Sequence, residues 1–177
     1  EEADDRYRDG GEVRAAAKRI EQILLVGVLL CLDEEGIPPT AEQRFEIAKK
    51  IRDRASEYGI KPKNLVMDAL TLTISAQQKE SAETIKALKM IKDRLGICTT
   101  LGVSNISFGL PRREIVNGTF FALALNNGLD ACIINPCADS MINTYRAFMA
   151  LSCYDADCQE YVSKYAGTKS QTTVTKE

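Results

Sequence analysis

The sequence predicts an α/β fold in which parallel β-strands alternate with α-helices. Four apolar segments are each followed by a segment of helical periodicity, with successive units roughly thirty to forty residues apart, the size of βαβ units. The apolar segments are continuously hydrophobic rather than alternating, which is typical of parallel strands covered by helices. Two architectures fit this pattern: an open doubly wound sheet and part of an eight-stranded barrel. No GxGxxG motif follows the first strand, so the sequence gives little support to dinucleotide binding.

The first unit has the clearest boundary signals. Residues 12–23 carry apolar side chains at helical spacing, and residues 24–32 are continuously apolar, as a buried strand is. A loop rich in Gly and Pro follows. Thr40 is the predicted N-cap of the next helix because Gln43 stands three residues later, a capping-box pattern. Gly59 is expected to end that helix.

The three later units repeat the same order of apolar strand, polar loop and amphipathic helix. Gly96 and Gly128 follow the last periodic residues of two helices, where a C-terminal glycine is common. The predicted strands are 64–67, 97–103 and 129–134, and the predicted helices are 81–95, 113–127, 139–151 and 155–165.

Composition excludes several classes of function. The 177 residues include no histidine, which excludes Ser-His-Asp and Cys-His catalysis within the chain and His-containing zinc sites. Lys and Arg number 23 against 25 Asp and Glu, and this net charge of -2 indicates neither nucleic acid nor an anionic membrane as a partner. The longest apolar run, residues 23–32, is too short to span a bilayer. Any chemistry must rest on carboxylates, amides, Arg, Lys, Tyr or Cys.

The six cysteines predict free thiols and no metal site. They are Cys31, Cys98, Cys132, Cys137, Cys153 and Cys158. The first three lie in apolar runs, as buried free thiols do. The last four form two pairs with four residues between partners, which is not the CxxC spacing of zinc or redox sites. Because no signal peptide is recognisable, we expect a reduced, cytoplasmic protein.

Polar residues stand at the predicted carboxyl ends of the strands, where parallel α/β folds collect ligands. These residues are Asp33 and Glu34, Asp68, Ser104 and Asn105, and Asn135. Asp33 and Glu34 lie in a Gly-Pro loop, so we interpret them as turn residues. Asp68 and Asn105 end strands that are followed by long loops, which favours a role in binding. For Asn135, a turn role and a ligand role stay equally open.

Four segments in order along the chain carry a family resemblance. They are LDEEGIP at 32–38, MDALTLTISAQ at 67–77, TTLGVSNISFGLPRREIVNGTFF at 99–121 and GLDACIINP at 128–136. Over roughly residues 30–166 the chain resembles the pterin-binding domain of methyltetrahydrofolate:corrinoid methyltransferases, which include the folate domain of cobalamin-dependent methionine synthase. GVSN and the following FGLPRRE loop are the most specific motifs. The resemblance implies a TIM barrel related to dihydropteroate synthase.

The resemblance also implies an activity and a set of site residues. The activity is transfer of the N5-methyl group of methyltetrahydrofolate to the cobalt of a corrinoid, supplied by a corrinoid protein or cobalamin-binding domain. By resemblance, Asp68 hydrogen-bonds the pterin ring, and Asn105 contacts the N5 region and is the catalytic residue. The other implied binding residues are Gly102, Ser104 and Arg113, with Gln77 and Asn135 at the rim. The chemistry agrees, since a carboxylate suits the amide and amino donors of a pterin edge and an amide can stabilise a protonated amine.

The family barrel has eight strands, whereas this sequence predicts four. By resemblance, these correspond to the last four strands of the family barrel. We therefore expect a (βα)4 half-barrel over 12–166, with a disordered leader at 1–11 and a flexible tail or linker at 167–177. Three explanations stay open: a missing N-terminal half, a half-barrel that pairs with itself as a dimer, or an open-sheet remnant without activity. Two functions follow, a methyltransferase domain or a non-catalytic, self-associating half-barrel. Dihydropteroate synthase-like condensation is less favoured, because that family has a Lys-containing motif where Asn105-Ile-Ser stands.

Overall fold

Four parallel strands and five helices make up the described part of the chain, residues 26–167 of a computed structural model. The strands are β1 (Gly27–Leu30), β2 (Leu65–Asp68), β3 (Cys98–Gly102) and β4 (Ala131–Ile133), and they pair in sequence order. The helices are α1 (Ala41–Glu57), α2 (Glu80–Leu95), α3 (Arg113–Asn126), α4 (Asp139–Leu151) and α5 (Gln159–Tyr165). The α/β prediction is confirmed, and the arrangement is consistent with a partial (βα)4 barrel. The predicted leader 1–11, the predicted helix 12–23 and residues 168–177 lie outside the described residues.

The predicted helix boundaries at Thr40 and Gly96 are confirmed. Thr40 is the N-cap of α1, and its hydroxyl oxygen accepts a hydrogen bond from the Gln43 N–H at 3.4 Å. Gly96 is the C-cap of α2 in the left-handed conformation, with φ of 62°, which glycine adopts without steric cost. These caps satisfy backbone groups that the helix itself leaves unpaired.

Two predicted boundaries are wrong at the ends of the described fold. The sequence predicts the last strand over 129–134, but β4 covers only Ala131–Ile133, because only these residues pair with β3. The last helix was predicted from Asp155. A 3-10 turn with left-handed Asp157 and Cys158 comes first, so α5 begins at Gln159.

The two faces of the sheet differ sharply. Side chains alternate between faces along each strand, and those directed toward the helices, including Met67 and Leu101, are fully buried in the core. On the other side, which we call the open face, Val28 is 58% exposed, Leu30 44% and Ile133 66%. The continuous hydrophobicity of the strands predicts cover on both faces, whereas the described residues cover the open face only in its centre, at Asp68 and Thr100.

The open face also corrects one of the cysteine predictions. Cys31 is buried as expected, and burial raises the pKa of its thiol to about 12. Cys98 is predicted to be buried but is exposed, because it pairs with Val66 and shares the open face of the sheet.

Within 26–167, no helix combines the length and hydrophobicity needed to cross a bilayer.

Candidate functional site

Asp68 is a buried carboxyl group at the carboxyl end of β2. The strand register places it between Leu30 and Thr100, on the open face of the sheet. It is 8% exposed, and its Oδ1 accepts a hydrogen bond from the Leu70 N–H at 2.8 Å. Burial raises the pKa of Asp68, and the bond from Leu70 opposes this rise. A desolvated carboxylate in this position interacts strongly with N–H donors of a bound molecule, because little water competes for it.

Asn105 lies beyond the end of the neighbouring strand. After Gly102 the chain enters the 3-10 segment Val103–Ser107, which returns the Asn105 side chain over the last residue of β3. A Cβ atom at position 102 would lie 3.0 Å from Asn105 Nδ2. Because Gly102 pairs with Ile133, that Cβ would point to the open face. The Asn105 amide therefore shares the open face with Asp68, and it fits there because residue 102 has no side chain.

Arg113 supports the 3-10 segment from the first turn of α3. Its Nη2 donates to the Ser104 carbonyl oxygen at 2.8 Å, and its Nε donates to Ser107 Oγ at 2.9 Å. The guanidinium also stacks over the Phe108 ring, 4.4 Å from the centroid. Two of the predicted site residues, Ser104 and Arg113, are thus hydrogen-bonded to each other. This bond stabilises the 3-10 segment that carries Asn105.

Hydrogen bonds join the loops that follow β2 and β3. The Ile74 N–H donates to the Ile106 carbonyl oxygen at 3.0 Å. The Phe108 carbonyl oxygen accepts from Thr73 Oγ1 at 2.7 Å and from Ser75 Oγ at 2.6 Å. The loop after Asp68 and the segment that carries Asn105 therefore form a single bonded unit.

Gln77 and Asn135 each make a local hydrogen bond within their own loop. Gln77 is exposed in the loop after β2, and its carbonyl oxygen accepts from the Glu80 N–H at 3.1 Å. Asn135 follows β4, and its Oδ1 accepts from the Cys137 N–H at 2.9 Å, a side-chain turn. Asp33 makes the same kind of turn with the Glu35 N–H at 2.9 Å, as its loop composition predicts.

Sequence reasoning missed Arg44 and Leu70. Arg44 is fully buried in α1 and reaches the loops after β1 and β2, while Leu70 has a left-handed backbone with φ of 63°. A signal for Arg44 was present, since it falls on the buried stripe of α1 beside Phe45 and Ala48. No signal pointed to Leu70, because leucine rarely adopts positive φ.

A groove of about 420 Å³ lies apart from these residues, between the loop after β1 and helix α1. Its lining includes four carboxylates and none of the predicted site residues. The four are Asp33, Glu35, Glu42 and Glu46. The strand ends with Asp68 and Asn105, rather than this groove, are therefore the candidate site.

Comparison with known proteins identifies the family of the chain. A family model described as pterin binding enzyme matches residues 33–135. The methionine synthases of Mycobacterium tuberculosis and Mycobacterium leprae are 40% and 37% identical over 141 residues, which cover 73% of this chain and 12% of theirs. A methylcorrinoid:tetrahydrofolate methyltransferase of Eubacterium limosum is 29% identical over 135 residues, covering 76% of this chain and 50% of that protein.

The chain matches only part of the length of each of these proteins. The chain spans about an eighth of each methionine synthase and half of the Eubacterium limosum protein. The family match includes the ends of β2 and β3, and it covers more than half of the chain. The resemblance predicted from the GVSN and FGLPRRE motifs is confirmed, and the chain belongs to the pterin-binding enzyme family.

Proposed function

We propose that the chain binds methyltetrahydrofolate and takes part in transferring its N5-methyl group to the cobalt of a corrinoid. The observation that carries the proposal is the placement of a buried carboxyl group, Asp68, and the Asn105 amide at the ends of adjacent strands on the open face. The names of the relatives, methionine synthase and methylcorrinoid:tetrahydrofolate methyltransferase, support the same class of reaction.

Each site residue has a separate task in this proposal. The Asp68 carboxylate accepts hydrogen bonds from the amide and amino groups of the pterin edge. Asn105 is the catalytic residue: its amide oxygen accepts from the proton on N5, which stabilises the positive charge that makes the methyl group a better electrophile. Gly102 leaves room for that amide, and the Arg113–Ser104 bond holds its backbone in place. Gln77 and Asn135 are assigned to the rim.

The remaining partners follow from the chemistry. The corrinoid supplies the nucleophile that accepts the methyl group, and a corrinoid protein or a cobalamin-binding domain provides it. We place the reaction in the cytoplasm, where free thiols such as the six in this chain stay reduced.

The open face supports a second candidate, a non-catalytic half-barrel that self-associates. Val28, Leu30 and Ile133 form an exposed apolar surface, and β1 and β4 are the edges of the four-stranded sheet. Exposed apolar patches and unpaired strand edges are typical association surfaces. Two copies would together provide eight strands, and such an assembly need not retain a complete pterin site.

Calorimetric titration with methyltetrahydrofolate tests the first candidate against the second. We expect binding by the wild-type chain that weakens in Asp68→Asn, since an amide in this position offers one acceptor oxygen instead of two. Binding should weaken in Asn105→Ala as well. A folded wild-type chain that releases no heat with methyltetrahydrofolate, at concentrations up to millimolar, would favour the non-catalytic half-barrel.

Gly102→Ala is expected to weaken methyltetrahydrofolate binding while leaving the fold intact. The backbone of Gly102, with φ of -78°, is accessible to alanine. The new methyl group would lie 3.0 Å from Asn105 Nδ2, so its main effect is to displace the Asn105 amide. We expect the dissociation constant to rise about tenfold, equivalent to the loss of one hydrogen bond. Calorimetry measures the affinity and thermal unfolding measures stability. Gly27→Ala, with no atom within 4 Å of the new Cβ, is the matched control.

Methyltetrahydrofolate affinity is expected to fall as the pH is lowered, because the ionised form of Asp68 is the acceptor. Burial raises the pKa of Asp68. Affinity is therefore full above this raised pKa and is lost as the pH falls through it, starting at a higher pH than for an exposed aspartate. Calorimetry across this range should give a steeper loss for wild type than for Asp68→Asn. Protonation of the folate itself is common to both proteins, so parallel curves would contradict the role of Asp68.

A further inference from the structure

Arg44 is a fully buried arginine that connects four parts of the fold. Its Nη2 donates to Glu80 Oε2 at 2.6 Å, and its Nε donates to the Pro38 carbonyl oxygen at 2.8 Å. Its Nη1 lies 3.0 Å from Thr84 Oγ1 and 3.2 Å from the Leu70 carbonyl oxygen. One guanidinium thus joins α1 and α2 to the loops that follow β1 and β2.

Leu70 is the point at which this arrangement reaches the candidate site. Its φ of 63° is unusual for a residue with a side chain, and such left-handed positions persist only where the surroundings hold them. Its carbonyl oxygen accepts from Arg44 Nη1 and, at 3.1 Å, from Thr84 Oγ1. Its N–H donates to Asp68 Oδ1. The peptide groups on the two sides of Leu70 therefore link the buried arginine to the buried carboxylate.

Stability alone is a weak reason for a buried Arg–Glu pair. Removing two charges from water costs energy that their attraction does not always repay, and well-packed apolar side chains of similar size often serve as well. An apolar pair in place of Arg44 and Glu80 would, however, supply no donors for the carbonyl oxygens of Pro38 and Leu70. The fork of the guanidinium is suited to this task, because its donors point in fixed directions.

We propose that Arg44 is a positioning residue for Asp68. It holds Leu70 in the left-handed conformation, and the Leu70 N–H then fixes the orientation of the Asp68 carboxylate. Glu80 orients the guanidinium and contributes to the site through it, whereas Thr84 both accepts from Arg44 and donates to the Leu70 carbonyl oxygen itself. The link to ligand binding rests on the proposed function, whereas the link from Arg44 to Leu70 and Asp68 does not.

The test replaces both charges at once, in the double variant Arg44→Met and Glu80→Met. This variant avoids leaving either buried charge unpaired, so the fold is expected to survive. Amide hydrogen exchange, followed by NMR in the full chain, is compared at Leu70 and at Leu101 in the core strand β3. We expect exchange at Leu70 to accelerate about tenfold or more, with Leu101 unchanged, because only the support of the loop is lost. Unchanged exchange at Leu70, or an equal acceleration at both residues, would overturn the proposal.

Arg44→Lys provides an independent test that keeps the charge pair. A single ammonium group can remain beside Glu80 but lacks the fork that also reaches the carbonyl oxygens of Pro38 and Leu70. Exchange at Leu70 should again accelerate relative to Leu101, and wild-type exchange in this variant would count against the proposal. Arg54→Met, an exposed arginine on the same helix, is the matched control and should leave Leu70 unchanged.

Methyltetrahydrofolate titration separates this inference from the proposed function. If the wild-type chain binds, the double variant should bind about tenfold more weakly, the effect of losing one well-placed hydrogen bond. Equal affinity would contradict the positioning role. If the wild-type chain does not bind, the proposed function fails, while the exchange at Leu70 still decides whether Arg44 controls the loop.

Discussion

Asn105→Ala is expected to lower the rate of methyl transfer from methyltetrahydrofolate to free cob(I)alamin by about a hundredfold, the usual effect of removing one preorganised polar group from a reacting centre. The alanine leaves the 3-10 segment in place, because its supports are the backbone of Ser104 and the side chain of Arg113. Loss of the Co(I) absorbance measures the rate. A rise in the Michaelis constant alone would indicate that the amide only binds substrate, whereas a fall in kcat indicates a role in the transition state.

The control for this experiment is a second asparagine that is remote from the strand ends. Asn126 is exposed at the last residue of α3, and Asn126→Ala should transfer methyl groups at the wild-type rate. Equal rates for wild type and Asn105→Ala would remove Asn105 from the mechanism. An inactive wild-type chain that nevertheless binds methyltetrahydrofolate would restrict the proposal to binding.

Glu substitutions at Leu30 and Ile133 are expected to convert a dimer into a monomer. If the half-barrels self-associate, the wild-type chain should have a mass near twice 19.5 kDa by light scattering at micromolar concentration. The two side chains are exposed on the open face, so charges there leave the core between sheet and helices intact. Burying those charges against a second copy would carry a large desolvation cost, so the variant should have the mass of one chain.

The control places a glutamate on the helical side. Leu151 is exposed at the end of α4, and Leu151→Glu should leave the dimer unchanged. If Leu151→Glu alone produced monomers, association would occur through the helices and not through the open face. A strictly monomeric wild-type chain would contradict the self-association of half-barrels.

Periodicity and caps predict the order of elements in this chain well, and strand lengths less well. The helix start at Thr40 depends on a side chain three residues from its partner, and the stop at Gly96 depends on one residue, so both can be predicted locally. Strand ends depend instead on a neighbouring strand. The apolar run 129–134 continues past β4 because Leu129 and Ile134 pack against the core without pairing in the sheet.

The candidate site shows the same division between local and distant causes. Asp68 and Asn105 could be selected from sequence because ligands collect at the ends of parallel strands. Arg113 is named by the resemblance, but other supports of the site are not, because they join residues far apart in the chain: Arg44 contacts Glu80 at a separation of 36 residues, and Ser75 contacts Phe108 at 33. Arg44 falls on the buried stripe of α1, but an arginine in an amphipathic helix is usually solvated, so its partners Glu80 and Leu70 become visible only when α1 packs on α2.

The bonds that join the loops after β2 and β3 have a consequence for the thermodynamics of binding. Ordering a free loop around a ligand costs conformational entropy, on the order of 1 kcal/mol or more for each residue whose backbone becomes fixed. Here Ile74 is bonded to Ile106, and Thr73 and Ser75 are bonded to Phe108, by hydrogen bonds within the chain itself. These loops are therefore ordered when the chain folds, so pterin binding loses less conformational entropy than it would with free loops. A larger part of the interaction energy then contributes to the affinity.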